Sequence, residues 1–267
     1  MSFTIGADPE LFLMKDGEYL SVEDYKGPLI PGTKARPFEV KGGAIQVDGV
    51  AAEFNLNPAK EFKTYYQNLK DVLGELRNRV KSKDASLKLV ANPTATFNKF
   101  YFDHLPEHTK ELGCDPDYNA YTMEPNPRPR TNKPFRTGSG HIHIGFTSKA
   151  DVTSQGHMLD CALVTKQLDK ALLFAAKDWD NDVQRMELYG KPGAFRAKPY
   201  GVEYRPVSNA WLRDFKSVKG VFDITLSVMR AIDSGKHDLD IDYSKSYGDT
   251  NSEKVMNALG EFNYDLY

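Results

Sequence analysis

Apolar positions recur at helical spacing in three long stretches. Phe62, Leu69, Val72, Leu73, Leu76 and Val80 predict an amphipathic helix over 59–83, with Lys, Arg and Asp on its other face. Leu159, Leu163, Leu168, Leu172 and Leu173 predict a second over 151–177, and Val218, Val221, Phe222, Leu226 and Met229 a third over 214–233. Between them lie shorter runs with period-two alternation. Ile5 leads through an acidic pair into Leu11 to Met14 and stops at the turn Lys15-Asp16-Gly17. A polar Pro/Gly stretch runs from Gly27 to Pro37. Ala44 to Asn55 reads as two strands joined at the hairpin signal Asp48-Gly49. Leu87 to Ala91 is another strand, ended by Asn92-Pro93. Strands with helices packed mostly on one face make an α+β fold, expected over residues 1–235.

Two stretches break the pattern. Residues 103–136 hold six prolines, His104, His108 and Cys114, and predict a long irregular loop. It reads either as a substrate-side lid or as a passive surface excursion. Residues 236–267 form an acidic, Tyr-rich tail with a short helix expected near 253–260.

Composition narrows the class. The 267 residues are 40% hydrophobic and 27% charged, as in ordinary globular proteins. A net charge of -2 and a pI near 6.3 give no footprint for nucleic acid. Two cysteines, Cys114 and Cys161, make no disulfide framework. The start MSFTIGADPE lacks a basic segment followed by an apolar one, and no apolar run approaches the roughly 20 residues of a membrane span. A cytoplasmic protein is expected.

Four short segments bear the candidate chemistry. Side chains two apart on a strand point the same way. Asp8 and Glu10 therefore share a face, as do Glu53 and Asn55, His141 and His143, and Glu203 and Arg205. If these strands lie side by side, one sheet face collects carboxylates, two imidazoles and a guanidinium. So much buried charge calls for counter-ions. Each segment alone also has a plain reading: acids in a solvated turn, a half-exposed strand, one buried and one exposed histidine, or surface arginines in ion pairs. Asp48 serves either the turn or a metal. The carboxylate-rich set favours Mg²⁺ or Mn²⁺ over Zn²⁺, since the cysteines lack zinc spacing. Arg185, Arg196 and Arg205 flank the turn Tyr189-Gly190-Lys191-Pro192-Gly193 and suit a polyphosphate. Gly138 and Gly140 are read as allowing a ligand close to the backbone. His104, His108, His157 and His237 stand in polar contexts and read as solvated. The chain has no P-loop, GxGxxG or G-x-S-x-G element.

In their order along the chain, GADPELFL, QVDGVAAEFN, GSGHIHIG and GVEYRPVSNAWL resemble the motifs of the glutamine synthetase-like carboxylate–amine ligases. The closest resemblance is to the small amidoligases often encoded by bacteriophages, which share the Arg…YG…G.FR…EYR stretch. It spans most of residues 5–212, and the tail is not covered. GSGHIHIG lacks one residue of the family pattern between its last Gly and first His. The resemblance implies a curved, largely antiparallel sheet with the active site on it and helices on its outer face. It implies Asp8, Glu10, Glu53, His141 and Glu203 as metal ligands. It implies Ser139, His143, Arg196 and Arg205 as ATP-binding residues, and Arg185, Arg196 and Arg205 as the catalytic arginines. The expected activity is ATP- and Mg²⁺-dependent joining of a carboxylate to an amine through an acyl phosphate, with Mn²⁺ an alternative metal. The carboxylate and the amine are each a small molecule, a peptide or a protein, and no nucleic acid or membrane is a partner. Three other readings stay open. A metal-dependent amidohydrolase would run without ATP, a nucleotide-binding module would have no turnover, and a guanidino kinase would give a phosphorylated product.

Overall fold

The computed structural model describes residues 3–24, 26–110, 117–127 and 133–236. The expected tail helix near 253–260 and Cys114 lie outside the described residues. A ten-stranded sheet dominates. Across it the strands run Tyr118–Asn119, Ala194–Lys198, Gly201–Tyr204, Gly140–Gly145, Thr4–Lys15, Ala51–Leu56, Gly43–Asp48 and Phe38–Val40, with Glu18–Leu20 and Lys88–Val90 added along Thr4–Lys15. Every pairing between these strands is antiparallel. The α+β class and the antiparallel sheet are as expected.

The first strand is the spine. Its N-terminal half pairs Gly140–Gly145, its middle pairs Ala51–Leu56, and its C-terminal half pairs Lys88–Val90 and Glu18–Leu20. Two tight turns set the neighbouring registers. Asp16 and Gly17 both take positive φ, 50° and 87°, and close the hairpin that pairs Lys15 with Glu18. Gly49, at φ 57°, turns the second hairpin, in which Asp48 faces Ala51.

Odd-numbered residues of the first strand, Ile5, Ala7, Leu11 and Leu13, point into the main core. The helices Phe62–Lys83, Gln155–Leu168 and Phe215–Asp233 cover that face, with Phe215–Asp233 touching both of the others. Phe62, Tyr65 and Tyr66 interlock with Phe215 and Phe222 between two of them. Asp214 starts the last helix by accepting from Ser217 N at 2.8 Å. The expected helix over 151–177 is interrupted: α-helix Gln155–Leu168 passes into a π turn, Asp169–Leu173. That turn carries Asp169 to the sheet edge. There it accepts from Tyr204 Oη at 2.9 Å, Tyr121 Oη at 3.0 Å and Gly193 N at 2.6 Å.

Three expectations need correction. Residues 103–136 are not uniformly irregular. Glu107–Lys110 is helical, Tyr118–Asn119 joins the sheet edge, and Phe135–Thr137 pairs with Thr94–Thr96. His157 is buried, with Nε2 2.9 Å from Lys198 O, because the amphipathic helix turns it inward. Gly138 and Gly140 do not serve ligand approach. A Cβ at Gly140 would lie 2.2 Å from Ser208 O and 2.5 Å from Trp211 Nε1, and one at Gly138 2.4 Å from Asn209 Nδ2. These glycines let the Ser208–Trp211 segment pack behind the His strand.

Gly140→Ala is therefore expected to lower unfolding stability by about 2 kcal/mol or more through overpacking. Gly74→Ala, in the interior of helix Phe62–Lys83 with nothing within 4 Å of an added Cβ, is expected to raise it by about 1 kcal/mol. Urea melts of the two variants beside the parent check both signs.

Candidate active site

Strand register assembles the site. Asp8 faces His141, His143 faces Glu203, Glu203 faces Arg196, and Glu10 faces Glu53. All of them lie on the sheet face opposite the helices, where they line a cleft of about 370 Å³ with Lys34, Gln46, Asp48, Asn55, Lys198 and Arg205. The four segments picked out by their spacing thus meet on one surface.

Two groups of ligand-type side chains form there among the described residues. Asp8, His141 and Glu203 make one, and Glu10, Asp48 and Glu53 the other, with the ligand atoms of each group within 4.8 Å of one another. In the first, His141 Nδ1 lies 3.2 Å from Asp8 Oδ1 and 3.4 Å from Glu203 Oε1. His143 Nε2 approaches Asp8 Oδ2 at 3.1 Å. Burial pushes the Asp8 carboxyl up, but the charge on His143 and His141 more than offsets this and holds it well below its ordinary value. Burial would lower His143 too, yet Asp8 beside it leaves its pKa raised. Burial, then the Arg205 charge, lowers His141.

The second group has little positive charge near it. Burial, then the Asp48 carboxylate, pushes Glu10 up to about 7. Burial, then the Asp8, Asp48 and Glu10 charges, holds Glu53 well above the ordinary range. Ser139 N donates to Glu10 Oε2 at 2.8 Å and so holds the carboxylate, while Asn209 Nδ2 donates to the Glu10 backbone carbonyl at 2.7 Å. Asp48 is placed as a turn residue and a site residue at once. It ends the hairpin strand on the cleft face, with Lys34 Nζ at 3.4 Å.

The cations gather at the opposite end. Glu203 is fully buried, and Arg196 Nη1 at 3.3 Å, Lys198 Nζ at 2.8 Å and Arg205 Nη1 all contact it. Arg205 also donates from Nε to Asp117 Oδ2 at 2.9 Å. Lys198 was missed in the sequence, although it stands two residues after Arg196 on the same strand face. Tyr200 and Asp117 were missed too, since only the fold brings them near, and Tyr189 was read only as part of the turn between the arginines. Two candidates stand apart from the cleft. Arg185 is buried in helix Val183–Leu188 and donates to Pro206 O at 2.7 Å, and Ser139 faces the site through its backbone N–H.

The donor set fits divalent metal. Asp8 Oδ1 and His143 Nε2 are buried and form no hydrogen bond, although other ligand-type atoms crowd them. Carboxylates packed this closely repel unless a cation or a proton lies between them. The first group offers an imidazole and two carboxylates, and the second offers oxygen alone, as Mg²⁺ prefers.

A family model described as Phage phiEco32-like COOH.NH2 ligase-type 2 matches residues 130–266. His141, His143, Arg185, Arg196, Glu203 and Arg205 fall inside that match, and Asp8, Glu10 and Glu53 precede it. No curated protein matches the chain. No helix among the described residues is long and apolar enough to cross a membrane.

Glu10 sets a pH dependence. A carboxyl whose pKa is raised on folding gives stability that is full below its ordinary value of 4.5 and lost as pH rises through about 7. The loss is on the order of 3 kcal/mol for a shift of this size. In chelator, Glu10→Gln is expected to gain stability relative to the parent between pH 5 and pH 8, read as a growing difference in urea midpoint. A constant difference across that window would refute the buried, charge-crowded state of Glu10.

Proposed function

The chain belongs to the phage phiEco32-like COOH.NH2 ligase-type 2 family, and on that premise we propose that it joins a carboxylate to an amine at the expense of ATP, with Mg²⁺ as metal. We read the sheet as glutamine synthetase-like. One observation carries the proposal: two carboxylate-rich groups and three cationic side chains share one cleft on a rigid antiparallel sheet. That combination suits a polyphosphate better than it suits water activation alone.

In this reading Asp8, His141 and Glu203 would hold one metal, and Glu10, Asp48 and Glu53 a second. When bound, Mg²⁺ would neutralise polyphosphate charge. Arg196, Lys198 and Arg205 would shift from Glu203 towards the phosphate oxygens and stabilise charge on the γ-phosphoryl during transfer. The substrate carboxylate oxygen attacks the γ-phosphorus and ADP leaves. The amine nitrogen then attacks the acyl carbon, phosphate leaves with its bonding pair, and the nitrogen loses a proton. The walls around Gln46, Asn55 and Asn57 remain for the acid and amine, each a small molecule, a peptide or a protein. Arg185, outside the cleft lining, would act through its neighbours.

ADP release with a panel of acids and amines tests the ligase. Glu203→Ala, verified as folded and monodisperse, is expected to lose activity by about 10³-fold, since it removes a ligand and the anchor of three cations. Full activity in that variant would refute the assignment. Calorimetry separates the rival readings: ATP binding that requires Mg²⁺ and disappears in Glu10→Ala supports the ligase, whereas Zn²⁺ uptake without any ATP binding points to a hydrolase.

A further inference from the structure

Between the carboxylates and the edge of the sheet, the cleft floor carries two neutral amides. From Thr4–Lys15 the strand order runs through Ala51–Leu56 and Gly43–Asp48 to Phe38–Val40, which ends the sheet. Asp8 and Glu10 stand on the first of these strands, Asn55 on the second, Gln46 on the third and Glu39 on the last, and all line the cleft. Asn55 faces Ala44 and Gln46 faces Glu53, so the two amides are diagonal neighbours on one face. Asn55 Nδ2 donates to Gln46 Oε1 at 3.3 Å. Among the described residues neither amide makes a second side-chain hydrogen bond, although Gln46 is only 3% exposed.

We propose that at least one of the two joined substrates is a peptide chain, and that Gln46 and Asn55 read the backbone N–H and C=O of one of its residues. The proposal rests on the ligase reading for the bond that is made, and on these two amides for what is bound. A carboxamide offers one acceptor oxygen and two donor hydrogens. With one N–H shared between them, the pair keeps Gln46 Nε2 as a donor and Asn55 Oδ1 as an acceptor. Exchanging oxygen and nitrogen in both groups again leaves one donor and one acceptor, so the complement does not depend on that assignment. In an extended chain the N–H and C=O of one residue point to the same side, which is the matching pattern. A free amino acid would instead set an ammonium and a carboxylate on two neutral groups in a half-buried place, where charge without a charged partner is costly.

The shape of the sheet edge supports the same occupant. A second groove of about 490 Å³ lies between strand Phe38–Val40 and helix Phe62–Lys83, and Glu39 lines both cavities. Phe38 is 41% exposed there, with the Arg79 guanidinium 4.7 Å from its ring centroid. The cleft, at about 370 Å³, must also admit a polyphosphate, so a substrate longer than one residue leaves it past the amides and over Glu39. The groove that receives it pairs off most of its own charge, Lys41 with Asp71 at 3.2 Å and Arg79 with Glu75 at 2.6 Å. Such a surface suits an uncharged backbone better than a second polyanion. Gly32 holds the near wall: its carbonyl accepts from Val47 N at 3.1 Å, and a Cβ on it would lie 2.2 Å from Ile45 O. Lys34 and Pro37, which follow it, stand at the cleft rim beside the amides.

The experiment reads binding rather than turnover. The full chain is mixed with a randomised pentapeptide pool and, separately, with the same residues as free amino acids, in Mg²⁺ with and without a non-hydrolysable ATP analogue. Ultrafiltration and mass spectrometry then measure what is retained. Peptides are expected to be retained and free amino acids to pass through. A pool with N-methylated backbone, which lacks the N–H, is expected to bind wild type about 10-fold more weakly, a readout that needs no variant to fold. Gln46→Glu and Asn55→Asp, each checked by a urea melt, are expected to cut retention of the unmethylated pool by a similar factor. Phe38→Ser, at an exposed position, is expected to weaken pentapeptides more than dipeptides. Equal retention of methylated and unmethylated pools, retention of free amino acids in place of peptides, or retention of neither would overturn the proposal. The ligase reading fails separately: peptides retained without any binding of the ATP analogue would sink that reading and leave this one, whereas ADP release with free amino acids and none with peptides would do the reverse.

Discussion

Five buried or half-buried carboxylates on one face of one sheet must each find a counter-charge or a proton. Everything around the cleft follows from that constraint. At one end Glu203 has no contact with water and is met by Arg196, Lys198 and Arg205. In the middle Asp8 is met by two imidazoles. At the far end Glu10, Asp48 and Glu53 have Lys34 at the rim, and burial with mutual carboxylate repulsion raises Glu10 and Glu53 while Asp8 falls. The sheet therefore has an electrostatic direction, basic at the Ala194–Lys198 strand and acidic at the Gly43–Asp48 hairpin. A polyphosphate entering this cleft would point its uncompensated oxygens towards the basic end and need added cations at the acidic one.

Much of this was legible in the sequence because sheets repeat every two residues. Asp8 with Glu10, His141 with His143, and Glu203 with Arg205 announced a shared face before any strand partner was known. The hairpin at Asp48-Gly49 and the turn at Asp16-Gly17 were equally plain, since positive φ favours those residues. Register was not legible. That Asp8 stands opposite His141, and Glu203 opposite both His143 and Arg196, depends on pairings between distant stretches of the chain or on a hairpin whose turn length had to be known. Lys198 was within reach of the same two-residue rule from Arg196, but a lysine lacks arginine's bidentate fork and is a weaker sequence signal for phosphate.

Other misses have a different cause. The glycines of Gly138-Ser139-Gly140 looked like room for a ligand, yet they make room for the Ser208–Trp211 segment. A glycine shows that something comes close and does not say what. The π turn at Asp169–Leu173 is invisible in a Leu-rich helical pattern, because a one-residue insertion leaves the apolar stripe intact on either side. Tyr189 and Tyr200 reach the imidazoles from a helix end and from a hairpin turn, and neither lies in a run with its own periodicity.

The order of strands bears on how the site can exist at all. The matched family segment contains the histidines, Glu203 and the three arginines, whereas Asp8, Glu10 and Glu53 come from the first fifty-odd residues. The first strand lies between Gly140–Gly145 and Ala51–Leu56, so the N-terminal segment is the middle of the sheet. Without it the His strand would lose its partner, His141 would lose Asp8, and the main core would lose Ile5, Ala7, Leu11 and Leu13. Packing and chemistry thus make the same demand on one strand: its odd residues Ile5, Ala7, Leu11 and Leu13 build the main core, while Asp8 and Glu10 on its other face build the site and Phe12 anchors a second, smaller core. A change that shifts its register by one position would exchange the two sets, burying Asp8 and Glu10 under the helices and turning the apolar residues into the cleft. The fold and the site are therefore specified by a single alternation.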